Sequence, residues 1–372
     1  MNRIFLTFAI PTYNRAVSLK KLLDNILPQI SELEENIEIC ISDNDSTDNT
    51  QEIVMNFKEK HPNLISYNKN EKNLGGERNV FLAMKMAKGE FIWLFGDDDL
   101  IVDNGIREVI AFIRNNFGKN IALFSLREEA YFFDEKTGKK IIYHSSFEQD
   151  KPCTYEISRE NVLKQNFPCS TFISALIFNG NLFRILLEQE HAIIEKAIGL
   201  EYIHVFLYQL IFMKFTGAKA ITLNKTIISQ EMAFYKIYIE GRFKAHYIAK
   251  KKINRLLLSS KYADKATADI FLQDEKKLRK DNVQDIVMAK TFGSFNYVSF
   301  TGVFKLFFQN STFVDALIFS FVFFVMFLTP SIFLKKLLKI YFFIKYGQEW
   351  KRHWLFCDAV HFKASQGQTP VQ

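Results

Sequence analysis

Cysteine is scarce in this 372-residue chain. The four present, Cys40, Cys153, Cys169 and Cys357, lie far apart with no CxxC pair, which leaves no basis for a zinc site or a disulfide framework and fits a reducing cytosol. Proline (7) and glycine (15) are also few, and no Pro/Gly/Ser-rich linker divides the chain. Internal repeats of about 20–50 residues are absent, which excludes solenoids and propellers. No G-x-G-x-x-G follows the first apolar run, so an NAD dehydrogenase is disfavoured. A glycine-rich stretch with a basic residue is missing from the same place, which sets aside a nucleotidyltransferase. The run Ile4 to Ile10 is too short for a signal-peptide core and meets Pro11 instead of a small-residue cleavage site, so it is expected to be a first strand.

What is abundant is apolar surface, 48% of residues, enough for a large core and a second module. The net charge of +7 is unevenly placed. From Gly241 onward there are 21 basic and 9 acidic residues, whereas the first 240 carry 27 and 32. A basic block beside apolar segments is what an anionic membrane face attracts. Nucleic acid is not the expected partner, because the tail's aromatics fall in continuous apolar runs and are not interleaved with Arg and Lys.

Up to about residue 118 the pattern alternates. Strands are expected at 4–10, 37–42, 64–68 and 91–95, with helices near 16–31, 48–60 and 76–88 between them. This order predicts an α/β domain with a mostly parallel, doubly wound sheet and ligand-binding loops after its strands. A helix near 103–116, a strand at 120–126, and a hairpin pair at 129–133 and 141–145 around Lys136-Thr137-Gly138 follow. A strand at 172–178, a long apolar helix near 200–215 and a strand at 219–223 complete a domain ending near 240. Within it, 1–105 is the expected donor side and 106–240 the acceptor side.

Three loops stand out chemically. The strand Phe91 to Phe95 empties into Gly96-Asp97-Asp98-Asp99. Adjacent carboxylates repel, and a chain keeps them together where solvent or a hard cation such as Mg²⁺ or Mn²⁺ screens them. A solvated acidic loop is the plain alternative. Asp43-Asn44-Asp45-Ser46-Thr47-Asp48 follows the second strand; helix capping accounts for Ser46 or Asp48 but not for the whole group. Asp43 stands where it can accept the N3 hydrogen of a uracil ring. In Asn73-Leu74-Gly75-Gly76-Glu77-Arg78-Asn79, glycines precede a helix start, a place suited to anions.

Together with Pro11-Thr12-Tyr13-Asn14-Arg15 after the first strand, these loops resemble the bacterial glycosyltransferases of family 2 with the GT-A fold. In that family a Pro-Thr-(Tyr/Phe)-Asn-Arg stretch, an Asp-rich loop followed by Ser-Thr-Asp, an Asn-x-Gly motif and a metal-binding DxD occur in this order. The resemblance covers roughly the first 105 residues. It implies a UDP-sugar donor held by Pro11, Thr12, Tyr13, Asn14, Arg15, Asp43, Asn73, Gly75, Arg78, Asp97 and Asp98. It also implies Mn²⁺ or Mg²⁺ on Asp99, with Asp97 the other candidate ligand. Inverting members use an acid in a Glu-Asp pair at the start of a late helix as general base. The nearest match is Gly199-Leu200-Glu201-Tyr202, which departs in having Tyr202 where Asp would stand, so either Glu201 takes the role or the base lies elsewhere. His204, one turn on, is a further candidate and equally a helix histidine with a structural hydrogen bond.

Residues 241–372 are expected to form a helical membrane-interface region with the last ten or so disordered. Ala316 to Leu334 is a run of 19 residues without a charge, followed by Lys335, Lys336, Lys339 and Lys345. Its length suffices to cross a bilayer, but one crossing with those lysines inside strands the domain away from cytosolic nucleotide-sugars. A segment dipping into the near leaflet, or amphipathic helices broken at Pro330, fits better; a buried helical core is the soluble alternative. The layout implies a peripheral or re-entrant protein at the cytoplasmic face of the inner membrane. Its overall order is similar to that of bacterial transferases adding a branch sugar to a lipid-linked oligosaccharide for protein N-glycosylation. A lipopolysaccharide-core sugar transferase and a non-enzymatic nucleotide-binding membrane adaptor remain as other readings.

Overall fold

The structure is a computed structural model, and it describes residues 3–33, 36–133, 140–231 and 249–273. The turn at Lys136-Thr137-Gly138, the charge-free run from Ala316 and the expected disordered end lie outside these. Of the expected C-terminal helical region, only the stretch 249–273 is described. Among the described residues no helix is long and apolar enough to cross a membrane. Met1–Glu231 and Ile253–Ile270 form one compact unit; Met232–Lys252 with Phe271–Gln372 form another.

Strands β1 (Leu6–Thr12), β2 (Ile37–Asp43), β3 (Ile65–Lys69) and β4 (Phe91–Leu94) pair in parallel in the order β3-β2-β1-β4. Strands β1, β2 and β4 are buried almost throughout, as expected for a parallel sheet covered on both faces. Helix α1 (Ala16–Ser31) buries Leu19, Leu22, Leu23, Ile26 and Ile30 at helical spacing. Helices α2 (Thr50–Lys60) and α3 (Gly76–Met86) complete the crossovers. Phe8 stacks on Trp93 at 4.9 Å, and Phe95 meets both edge-on. These rings make a stiff floor beneath the loops after β1 and β4. Glu38, a buried carboxylate at the far end of β2 from the loops, accepts from Thr7 Oγ1 (2.7 Å) and the Lys88 N–H (2.6 Å), which satisfies it without a counter-ion.

Beyond β4 the sheet changes direction. Strand β5 (Asp99–Ile101), α4 (Gly105–Asn115), β6 (Ile121–Phe133), β7 (Lys140–Ser145), β8 (Thr154–Ile157) and α5 (Arg159–Leu163) come next. A 3-10 turn at Ile173–Ala175 leads into β9 (Leu176–Asn179), which lies antiparallel between β4 and β6. Only three residues of the strand expected at 172–178 therefore lie in β9; its first part coils to carry Ser174 toward Gly96. Helices α6 (Gly180–Gln189), α7 (His191–Ala197) and α8 (Ile203–Lys214) follow, then β10 (Lys219–Glu231), parallel to β6 and antiparallel to β5. Helix α9 (Lys250–Leu258) follows, and residues 265–273 are again helical. Strand β10 runs on through register shifts well past the 219–223 expected from its apolar core. The long helix starts at Ile203, not near 200, because Tyr202 adopts φ 63°, a left-handed residue that cannot continue a helix. Cys40, Cys153 and Cys169 are free thiols, and burial pushes Cys40 and Cys169 up to about 12, so both are inert.

Candidate active site

The register of the parallel strands sets the site. Thr12 lies beside Asp43, and Asp43 beside Lys69, so the loops after β1, β2 and β3 leave the sheet at one level. Asn79, in the first turns of α3, ties these ends together. Its Nδ2 donates to the carbonyls of Thr12 (3.2 Å) and Ser42 (2.8 Å), and its Oδ1 accepts from Ser42 Oγ (2.7 Å) and Asn70 Nδ2 (3.2 Å). That exhausts the capacity of a carboxamide. Sequence reasoning noted Asn79 without a role, since its partners come from three separate loops. Replacing Asn79 by Ala strands buried groups on both strand ends and is expected to cost about 2–4 kcal/mol. A urea midpoint giving a loss under about 1 kcal/mol at unchanged m would contradict this.

The loop residues are stitched to one another. Asn14, at φ 50°, accepts the Thr47 N–H on Oδ1 (2.7 Å) while its own N–H reaches Ser46 Oγ (2.8 Å). Asp48 receives the N–H of Ala16 (3.1 Å) and of Thr50 (3.0 Å), so this loop acid joins two helix starts. Asp43 is fully buried; Oδ1 accepts the Ser46 N–H (2.8 Å) and Oδ2 the Tyr67 hydroxyl (2.7 Å). Asn73 Oδ1 accepts from Asn44 Nδ2 (2.8 Å) and from the N–H of Gly75 (2.9 Å). Gly75 itself has φ 85°, a conformation that favours glycine. Tyr13 remains exposed beside this framework, and Pro11 is the penultimate residue of β1.

The three aspartates diverge. Asp98 is exposed and pairs with Arg15 Nη1 (2.5 Å). Asp97 is buried and accepts from Thr12 Oγ1 (2.7 Å), with Arg15 Nη1 3.9 Å away. Asp99 opens β5, only 1% exposed; Ser174 Oγ donates to its Oδ2 (2.5 Å), while Oδ1 is buried and unpartnered. Burial pushes Asp97 up to about 7 and Asp99 up to about 8, with the neighbouring carboxylates adding to both. Glu128 on β6 is likewise pushed up to about 7 by burial and contributes to the field at Asp99. A buried carboxylate oxygen that no group of the chain satisfies calls for a proton, a water or a cation, and carboxylate donors suit a hard divalent ion. Asp99 and Asp97 therefore fit such an ion, although no group of three metal-ligating side chains is preassembled among the described residues.

On the other side of α3, Arg78 is engaged by Glu195 of α7 through two hydrogen bonds, 3.0 and 3.3 Å. Glu77, half-buried and shifted upward by desolvation, accepts the N–H of Ile203 (2.7 Å) and so caps α8 from a distance. This cap, invisible in the sequence, fixes the turn in which Glu201 stands half-buried. His204 is buried, and its Nε2 lies 3.1 Å from the Thr171 carbonyl, an acceptor, so Nε2 carries the hydrogen. Burial pushes it down to about 4, and the bond to Thr171 is of the kind set beside the catalytic role above.

Comparison with known proteins follows the same lines. The abequosyltransferase RfbV of Salmonella typhimurium is 29% identical over 222 residues, 56% of this chain and 61% of the relative, so the chain spans about three fifths of that protein. The Escherichia coli UDP-Glc:alpha-D-GlcNAc-diphosphoundecaprenol beta-1,3-glucosyltransferase WfgD is 28% identical over 116 residues, 31% of this chain and 44% of that one. In fold, the chain is similar to the mannosyltransferase PcManGT from Pyrobaculum calidifontis in complex with GDP-Man and Mn²⁺, with a TM-score of 0.51 at 16% identity over 98% of this chain and 87% of that one. Residues 7–177, just under half of the chain, hold all four loops and Ser174 and match Glycosyl transferase family 2, so this segment is a domain of that family with a GT-A-like fold.

Proposed function

We propose that the chain is a metal-dependent, inverting hexosyltransferase that moves a hexose or N-acetylhexosamine, glucose or N-acetylglucosamine foremost, from a UDP-sugar to a lipid-linked glycan. It works at the cytoplasmic face of the inner membrane as a peripheral or re-entrant protein, in surface-glycan or N-glycan assembly. The observation that carries this reading is the pair of buried carboxylates, Asp97 and Asp99, at the end of β4, with Asp99 Oδ1 lacking any partner. Mn²⁺ or Mg²⁺ typically takes one or two protein carboxylates plus substrate phosphates, which matches what these residues offer. Such an ion, when bound, supplies positive charge against the departing diphosphate.

The remaining work falls to the chain's own side chains. Thr12 orients Asp97 beside the ribose, and Arg15 holds Asp98 at the mouth of the site. Asp43 and the Asn73 to Gly75 turn line the nucleoside; Arg78 reaches the donor by leaving Glu195. Glu201 takes the proton of the acceptor hydroxyl as that oxygen attacks the anomeric carbon. The names of the relatives support the donor and acceptor classes: WfgD uses UDP-Glc and a diphosphoundecaprenol-linked sugar. The metal agrees with the Mn²⁺ in the archaeal mannosyltransferase complex. The basic block and the charge-free run Ala316 to Leu334 support the membrane address.

The test is nucleotide release from a panel of UDP-, GDP- and dTDP-sugars, with Mn²⁺ or EDTA, with and without diphosphoundecaprenol-linked acceptors. Turnover of one UDP-sugar that needs both metal and acceptor is expected. No turnover with any donor by a folded protein that still binds UDP would leave the membrane adaptor as the better reading.

A further inference from the structure

We infer that Ser174 is the positioning residue for Asp99: its hydroxyl holds one carboxylate oxygen and thereby presents the other to a divalent cation. This rests on the metal-dependent reading above and adds a residue 75 positions away from the acidic run. Ser174 is fully buried in the 3-10 turn that precedes β9. Three hydrogen bonds fix it. Trp93 Nε1 donates to its carbonyl (2.7 Å), the Gly96 N–H donates to its Oγ (2.8 Å), and Oγ lies 2.5 Å from Asp99 Oδ2.

The direction of the last bond follows from the ionised state that a cation requires. An N–H can only donate, so Ser174 Oγ accepts from Gly96, and an ionised carboxylate can only accept, so the hydroxyl hydrogen goes to Asp99 Oδ2. With Oδ2 held, the carboxylate cannot rotate freely, and Oδ1 is the oxygen left without a partner. The clasp also has no spare room. A Cβ on Gly96 would stand 2.8 Å from Asp99 Oδ2 and 3.3 Å from Ser174 Oγ, so only backbone fits there and no other side chain replaces the hydroxyl. Hydrogen-bond partners that orient a metal-ligating group typically change metal affinity by about 10- to 100-fold.

The experiment is a Mn²⁺ titration of the full-length protein with saturating UDP, followed by electron paramagnetic resonance of the free ion. UDP binding in EDTA and thermal unfolding are measured in parallel. Ser174→Ala is expected to weaken Mn²⁺ by about 10- to 100-fold while UDP binding in EDTA stays within about twofold, a split that general loosening of the fold does not produce. Folded Ser174→Ala with wild-type Mn²⁺ affinity, beside an Asp99→Asn variant that has lost it, would overturn the inference and leave the metal reading standing. Wild-type Mn²⁺ affinity in Asp99→Asn would remove both. Should Ser174→Ala unfold, Ser174→Cys, which nearly keeps the volume but is a weak donor, is read in the same way.

Discussion

Asp99→Asn is expected to abolish sugar transfer, by on the order of a thousandfold or more, because losing several kcal/mol of charge stabilisation on the leaving diphosphate is worth that much. The same substitution is expected to make the metal-free protein more stable at neutral pH. Burial pushes the Asp99 carboxyl up to about 8, whereas in an unfolded chain it titrates near about 3.9. Between these values the folded protein holds a proton that the unfolded chain has released. Stability is therefore lost as pH rises from about 4 to about 8. Asp97, pushed up to about 7, acts in the same sense. Asparagine removes one of these two groups, so its unfolding free energy in EDTA should fall less steeply with pH than that of the wild type, by a few kcal/mol across the window. Urea unfolding at pH 5 and pH 8 reads this directly. Retained Mn²⁺-dependent turnover, or an unchanged pH slope, would sink the assignment.

Glu201→Gln is expected to lower kcat by about 10²- to 10⁴-fold, the range for losing a positioned general base, with UDP-sugar affinity unchanged. The two side chains are nearly isosteric, so the turn between Gly199 and Ile203 persists, and its cap from Glu77 is untouched. Calorimetry of UDP-sugar binding set against acceptor-dependent UDP release separates the two effects. A near-normal kcat would move the base elsewhere, though not readily to His204, whose ring is buried and bonded to the Thr171 carbonyl.

The candidate donor site was legible because its chemistry sits in consecutive residues at strand ends. Apolar runs mark β1, β2 and β4, and the polar residues that follow each must emerge at the same edge of a parallel sheet. What escaped reading depends on contacts between distant segments. Asn79 looks like any early helix asparagine until Thr12, Ser42 and Asn70 are folded around it. Ser174 sits in an apolar stretch that reads as plain strand. Glu77 resembles an ordinary first-turn acid, yet it caps a helix 126 positions later. Arg78 suggests a free cation, and only the arrival of α7 supplies Glu195. Strand β5 was hidden because Asp99 begins it, and strand propensity disfavours aspartate.

The antiparallel placement of β9 has a consequence for modularity. A strand more than 80 positions further along the chain is hydrogen-bonded along the whole of β4, the strand that delivers the acidic run. Cutting the chain near residue 105 would bare that edge, with its buried Phe91 and Trp93, as a template for aggregation. The nucleotide-facing segment is thus not a portable cassette. Recombination between relatives that exchanged the later segment would have to bring a compatible β9 with it. Diversification toward new acceptors is then easiest in the stretches this sheet leaves unpaired, such as the connection between β8 and the 3-10 turn.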